Sequence, residues 1–507
     1  MNSRITKQLR SEELRKKIVS ADEAASWIKD GMTLGLSGFT RAGDAKAVPM
    51  ALVDRAKDEN FKVDVYTGAS LGSDIDKMMA EAGIIHKRLP FQADASMRKK
   101  INQRELLFTD QHLSHVAEMV RSEVLNPIDF AIIEAVAITE EGNIIPSTSV
   151  GNSSIFLEKA KNIIIELNLA QPAALEGMHD IYEVGEQGKR LPISLTSVEG
   201  RIGTSSLKVS MNKIRGIVLT NMLDSPSTIV PPDEETAIIA DHLIGFLREE
   251  IKAGRLTNQL APLQSGIGSV ANAVLHGLID SEFENLKIYS EVLQDAVFDL
   301  LDSGKARFAS GCSITLSQEK MKTIFPKLDQ YKEQLVLRPQ EISNHPEIIR
   351  RLGLISINTA LEADIYGNVN STHVCGTKMM NGIGGSGDFA RNSRLAIFVT
   401  KSIAKNGDIS SVVPFVSHVD HTEHDVDVLV TEQGYADLRG LSPVERARLI
   451  IQNCMHPAYK EQMTAYFEEA LTYGGQTPHV LNKAFSWHLN YMEKGTMLQP
   501  EAASAKK

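Results

Sequence analysis

Apolar positions along the chain fall into two alternating patterns. Short β-rich runs, among them "MTLGLSG", "FKVDVYTG", "DFAIIEA", "NIIIELN", "LKIYSEV" and "LAIFVTK", predict strands. Between them, stretches such as "AVPMALVDRAKDE" and "EETAIIADHLIGFLREEIKAG" predict helices. The alternation predicts an α/β fold in which mainly parallel sheets are covered by helices.

The pattern also repeats. "GLSGFTRAGDAKAVPMALVDRA" followed by "VYTGAS" has a later counterpart in "LQSGIGSVANAVLHGL" followed by "IYSEVLQD". Each is a strand, a glycine loop, a helix and a second strand, so the two halves are expected to share a fold. "FAIIEAVAITEEGNI" likewise matches "ISINTALEADIYGNV", and in this alignment Ser70 takes the place of Glu291. The joint is expected in "LDSPSTIVPPDEET", where three prolines and a run of acids interrupt the pattern. That divides the chain into domains 1–230 and 231–507, with "PEAASAKK" read as a frayed tail.

Composition narrows the function classes. At 507 residues, 42% apolar and 23% charged, the chain is long enough for two large cores. A net charge of -10 leaves no broad basic surface for nucleic acid, although a local basic pocket can still hold a small anion. The three cysteines, Cys312, Cys375 and Cys454, form no CxxC pair and fit a reducing compartment. No apolar run is long enough to span a membrane. The basic N-terminus has no apolar h-region, and Glu12 and Glu13 count against a mitochondrial presequence, so a cytoplasmic protein is expected.

Candidate chemistry clusters at predicted strand ends, where open α/β sheets place functional groups. Glu291 in "YSEVLQD" follows a strand with apolar neighbours; it reads either as an N-cap or surface acid, or as a buried carboxylate kept for function. "QSGIGSVANAV" is either a tight turn or a loop whose free amides, at the helix start, face an anion. "MNGIGGSGDFARNS" is rich enough in glycine to let backbone approach a ligand closely. It lacks the following strand and acid of a dinucleotide fingerprint. Asn344, in a turn before Pro346, is an N-cap, an Asx-turn or an amide donor to a ligand. Glu432 is a second acid at a strand end, with a capping or salt-bridging acid on a βα loop as its plainer role. His418, His421 and His424 suggest a metal, but their spacing does not put three imidazoles on one side of a strand, and hydrogen-bonded or solvated histidines are the favoured reading.

Taken in order, "SGFT", "TGAS", "RKKIN", "LQSGIGSVANAV", "YSEVLQD", "LRPQEISN", "NSTHV", "MNGIGGSGDFARN", "HVDH", "TEQGYADLRGLSP" and "CMHPAY" resemble the acetyl-CoA hydrolase/transferase family of class I CoA-transferases. The resemblance implies two CoA-transferase domains with an active site between them, a homodimer, no cofactor and no metal. It implies Glu291 as nucleophile, the backbone amides of Ile267 and Gly385 with the side chain of Asn344 as oxyanion donors, and Glu432 as a positioning or closing group. Ser70 then meets the small carboxylate. Leu263, Gln264, Ser265, Gly266, Ile267, Asn381, Gly385 and Lys405 hold CoA, Lys405 meeting its anionic end. Transfer of CoA between carboxylates, most of all from succinyl-CoA to acetate, is the implied reaction; propionyl-CoA:succinate transfer and short acyl-CoA hydrolysis are the alternatives. One departure touches the substrate: relatives close to the acetate enzyme carry arginines in the loop after the first domain, whereas 221–235 has no basic residue. From another class, a non-catalytic CoA-binding or zinc-binding protein stays open.

Overall fold

A computed structural model of the chain describes residues 3–227 and 232–499. Every run predicted above as a strand is one, and both predicted helices form, at Ala47–Arg55 and Glu234–Lys252. The boundary at residue 230 and the "PEAASAKK" tail lie outside the described residues.

Two sheets organise the chain. In the first, seven parallel strands are, in chain order, Thr33–Leu36, Val63–Tyr66, Ile85–Leu89, Leu107–Phe108, Phe130–Ile138, Asn162–Asn168 and Ile214–Thr220. In the second they are Leu263–Ser265, Leu286–Tyr289, Ala306–Gly311, Leu335–Leu337, Ile355–Thr359, Leu395–Val399 and Val428–Thr431. Both sets lie in the spatial order 7-6-5-1-2-3-4, so the internal repeat is a repeat of topology. The first sheet adds an edge strand at Ile18–Val19 and a hairpin partner at Ile144–Pro146; the second adds the hairpin strand Gly434–Asp437.

Burial explains the runs of apolar residues. All nine residues of Phe130–Ile138 and all five of Leu395–Val399 are buried, as expected of central parallel strands covered on both faces. A separate core forms where helices Pro443–Asn453 and Pro457–Thr472, with Trp487, pack against Phe398 and Leu429 of the second sheet.

The first half also buries charge within and beside its strands. Lys46 Nζ donates to Glu134 at 2.6 Å and to Asp224 at 2.9 Å, while Glu166 accepts the backbone N–H groups of Lys46, Ala47 and Val48 at the start of their helix. Asp224 belongs to the joint, and this network, with Thr148, ties the joint to the first sheet. Three residues on, the Ser227 N–H reaches the Leu316 carbonyl of the second half at 2.8 Å.

Candidate active site

The second strand of the second sheet ends at Tyr289, and two residues later the chain presents Glu291 before re-entering a short strand at Val292–Leu293. Its backbone is fixed on both sides. The Ser290 N–H donates to Ser310, and the Glu291 carbonyl accepts from Cys312 at 2.7 Å and Ser313 at 3.0 Å. The side chain is therefore aimed by the sheet rather than by a flexible loop. It points into a cavity of about 400 Å³ between the halves, lined from the first by Phe39, Thr40, Arg41 and Ser70 and from the second by Gly266, Ile267, Asn381 and Gly385.

Glu291 is only 9% exposed. Burial pushes its carboxyl up to about 7, against the pull of hydrogen bonds from the side-chain amides of Asn344 and Gln264. Asn344 Nδ2 donates to Glu291 Oε1 at 2.9 Å. Asn344 is not an N-cap: it ends the short helix Gln340–Ser343, and His345 caps the helix Pro346–Leu352 that follows, leaving the Asn344 amide to donate to Glu291.

Both glycine loops converge here. Strand Leu263–Ser265 turns through Gly266 to Gly268, whose φ of 129° suits glycine, into helix Ser269–Gly277. Gln294 of the "YSEVLQD" segment reaches back to the Gly266 carbonyl at 3.1 Å, tying the segment that bears Glu291 to the loop. The second loop ends at Gly385, the residue before helix Ser386–Asn392. A Cβ there would lie 1.7 Å from Glu291 Oε1 and 2.3 Å from Asn344 Nδ2, so only glycine lets this backbone reach the carboxylate.

The first half clamps that loop. Asp110 accepts the Ile383 N–H through both oxygens at 2.9 Å. Arg98 donates to the Met380 carbonyl at 2.6 Å, and Asn102 exchanges hydrogen bonds with Met379 at 2.9 and 3.0 Å. Arg98 and Asn102 come from helix Ala95–Asn102, which contains the "RKKIN" segment.

Several sequence-predicted residues sit elsewhere than expected. Leu263, Gln264 and Ser265 are 0, 0 and 4% exposed and do not line the cavity, because they form a strand with a neighbour on each side. Gln264 instead bonds Glu291 and Asn358 through its side-chain amide. Lys405 is exposed on the turn Lys405–Gly407, outside the cavity lining. Glu432 is also outside it: its carboxylate accepts from the Ser402 N–H at 2.8 Å, from the Ser402 hydroxyl and from Gln433 at 3.0 Å, and its strand turns back as a hairpin rather than into a helix. Counted from Tyr66 and Tyr289, the register partner of Glu291 is Gly68, and Ser70 lies two residues further on, yet Ser70 reaches the cavity.

The three loop histidines part company. His421 is buried and pairs with Ser386 Oγ at 3.1 Å, burial pushing it down to about 4; His418 stacks on His373; His424 is exposed beside Glu423. Among the described residues no group of three or more His, Cys, Asp or Glu side chains is arranged to hold a metal ion.

Two residues at the site escaped the sequence reading. Asp388, inside "GSGDF", accepts from Asn344 Nδ2 at 3.3 Å. Arg41, inside "SGFTRAG", is the only Lys, Arg or His among the described residues lining the cavity. An acid within a glycine loop and a base within a strand-end motif were the available signals.

Over 90% of this chain and 98% of its own, the crystal structure of RipA from Yersinia pestis superposes with a TM-score of 0.71 at 22% identity, which shows the shared fold. The models of the acetyl-CoA hydrolase/transferase N-terminal and C-terminal domains match residues 1–218 and 321–467, and the chain belongs to that family. It is 54% identical to succinyl-CoA:acetate CoA-transferase of Clostridium kluyveri, covering 97% of this chain and 92% of that protein. It is 44% identical to an acetyl-CoA hydrolase of Schizosaccharomyces pombe, covering 98% and 99%. Propanoyl-CoA:succinate CoA transferase of Escherichia coli is 43% identical, covering 95% and 98%. Among the described residues no helix is long and apolar enough to cross a membrane.

Two outcomes follow from this geometry. Gly385→Ala is expected to lower kcat by about 100-fold or more, because the new methyl occupies the contact between backbone and Glu291; near-normal turnover would contradict that contact. A candidate carboxylate nucleophile must be ionised to attack, so with Glu291 in that role kcat/KM for an acyl-CoA should rise with pH and level off above an apparent value of about 7. A limb at the ordinary 4.5 would mean the carboxylate is not buried as described.

Proposed function

We propose that the protein is an acyl-CoA:carboxylate CoA-transferase, with succinyl-CoA and acetate as its preferred pair, acting by a ping-pong route through Glu291. The observation that carries this reading is the carboxylate itself: buried, aimed into a cavity between the halves, and bonded to an amide donor at 2.9 Å. A carboxylate is a weak nucleophile in water, and removal from water strengthens it.

In this mechanism Glu291 attacks the thioester carbonyl, the C–S bond breaks, and CoA leaves as a thiolate from a glutamyl–acyl anhydride. The thiolate then attacks the glutamyl carbonyl; the anhydride C–O bond breaks, the donor acid departs as its carboxylate, and a glutamyl-CoA thioester remains. An acceptor carboxylate reverses both steps. No net proton is gained or lost, and the thioester bond is conserved.

Each addition forms an oxyanion that needs donors in a site poor in water. We assign the backbone amides of Ile267 and Gly385 to the acyl oxyanion and Asn344 to the glutamyl oxyanion. Ser70 faces the small carboxylate, and Asn381 faces CoA from the cavity wall. To Lys405, on its exposed turn, we assign the anionic end of CoA, and to Glu432 a positioning role. The same reading takes the enzyme as a cytoplasmic homodimer. Free Cys312, Cys375 and Cys454 agree with a reducing compartment.

Arg41 bears on the choice of acyl donor. The joint loop 221–235 contains no basic residue, but Arg41 lines the same cavity and donates to the Pro226 carbonyl of that loop at 3.1 Å. It can serve as the counter-charge for the remote carboxylate of a succinyl group. Arg41→Gln is therefore expected to lower kcat/KM for succinyl-CoA about 10-fold more than for acetyl-CoA, the scale of one charge-assisted hydrogen bond. Equal losses for both donors would remove Arg41 from this role.

The similarity to the Schizosaccharomyces pombe hydrolase supports a rival reading in which water takes the acyl group. The two separate in one assay. With succinyl-CoA and acetate together, transfer yields one acetyl-CoA for each succinyl-CoA lost and no free CoA. Thioester loss with free CoA and no acetyl-CoA would favour the hydrolase.

A further inference from the structure

The Asn344 amide at the nucleophile has two acidic neighbours. Its Nδ2 lies 2.9 Å from Glu291 Oε1 and 3.3 Å from Asp388 Oδ2, so its two N–H groups serve two carboxylates. Asn344 is fully buried, and among the described residues its Oδ1 has no partner. An asparagine amide has a donor end and an acceptor end of nearly equal size, and its neighbours decide which end points where. Here a reversed amide would turn its carbonyl oxygen towards two anions.

Asp388 is itself held from the other half of the protein. Its Oδ1 accepts the Ser114 hydroxyl at 2.5 Å and its Oδ2 accepts the Ser114 N–H at 3.0 Å. Ser114 lies at the start of helix Leu113–Arg121, whose Leu113 carbonyl accepts from Gln340 at 3.0 Å, on the segment that bears Asn344. Asp388 is 4% exposed and sits in the first turn of helix Ser386–Asn392, directly after Gly385. Three donors meet its carboxylate, yet burial, with the Glu291 charge nearby, pushes it up to about 7, so the donors hold the ionised form above that pH.

We propose that Asp388 is the positioning residue that fixes the donor end of Asn344 towards the glutamyl carbonyl, with Ser114 transmitting the registration of one half to the active site in the other. The proposal rests on Glu291 being the nucleophile. Its charge has a second effect: an ionised Asp388, separated from Glu291 by the Asn344 amide, makes Glu291 harder to ionise and more basic once ionised.

The other titratable groups around this pair are accounted for. Burial raises the Cys312 thiol far above its ordinary range, and lowers His112, which abuts Gly387, and His421, which pairs with Ser386. Asp110 is pushed up to about 7 by burial but is engaged with the Ile383 N–H. It is unchanged in every variant below, so a change in the pH profile is not its own.

The test is steady-state kinetics of the full-length enzyme against pH for Asp388→Asn, Asp388→Ala and Ser114→Ala, with succinyl-CoA as donor and acetate as acceptor. Asp388→Asn retains an acceptor oxygen but loses the charge. It is expected to lower kcat about 10-fold with little change in KM for the donor, and to move the acid limb of kcat/KM to lower pH, because a like charge near Glu291 is gone. Asp388→Ala, which loses the acceptor as well, should fall further, towards the 100-fold or greater loss expected of a missing oxyanion donor. Ser114→Ala should lower kcat in the same direction and by less. An Asp388→Asn enzyme with unchanged kcat and an unmoved acid limb would overturn the proposal, as would losses in all three that follow only the amount of folded protein in thermal melts. Glu291→Gln keeps the two questions apart: if it remains active the nucleophile assignment fails, whereas if it is inactive and Asp388→Asn is normal only the positioning role fails.

Discussion

The structure turns on one carboxylate held out of water. An isolated buried anion is costly, and the folded chain meets that cost with two side-chain amides and a backbone approach that only glycine allows. The compensation is incomplete, since burial still leaves Glu291 near 7. Incomplete compensation suits the nucleophilic role proposed for Glu291, because a fully satisfied carboxylate has little to gain by attacking a carbonyl. Other features follow from it: the glycines of "MNGIGGSGDF", the clamp from the first half, and the rigid backbone between Tyr289 and Val292.

The duplicated topology explains how two halves build one such site. Each sheet places its second strand and the loop after it at the same point in the order 7-6-5-1-2-3-4. In the second half that loop bears Glu291; in the first it bears Gly68 and Ser70, and the chain there contributes a wall of the cavity. The halves have divided the work. The second supplies Glu291 and the Asn344 amide bonded to it, while the first fixes the glycine loop through Arg98, Asn102, Asp110 and Ser114 and buries its own charges around Lys46, which secures the joint through Asp224.

Much of this was legible in the sequence, for identifiable reasons. Parallel strands buried on both faces leave runs such as "FAIIEA", and strand–glycine–helix turns leave "QSGIGS", so the class, the repeat and the loops around Glu291 could be read directly. Asn344 was found as a turn residue, but its bond to Glu291 spans 53 positions and no local pattern encodes it. Asp388 was hidden by its place in a helix start, where an acid is ordinary. Leu263 and Ser265 entered the binding set through the family resemblance, and the structure places them in a strand paired on both sides, outside the cavity lining. Glu432 and Lys405 share a strand end and a turn with the expected chemistry, yet neither reaches the cavity, because side-chain direction is set by tertiary packing that one-dimensional spacing does not contain.

The central claim is that Glu291 becomes covalently attached to CoA, and it is tested most directly by trapping. The protein is incubated with succinyl-CoA without acceptor, reduced with borohydride, and its peptides are mapped by mass spectrometry. The account predicts reduction of the Glu291 carboxyl to an alcohol, the mark of a glutamyl thioester, with no other acid modified. Accumulation of free CoA with Glu291 intact would contradict it and assign the buried carboxylate to another task.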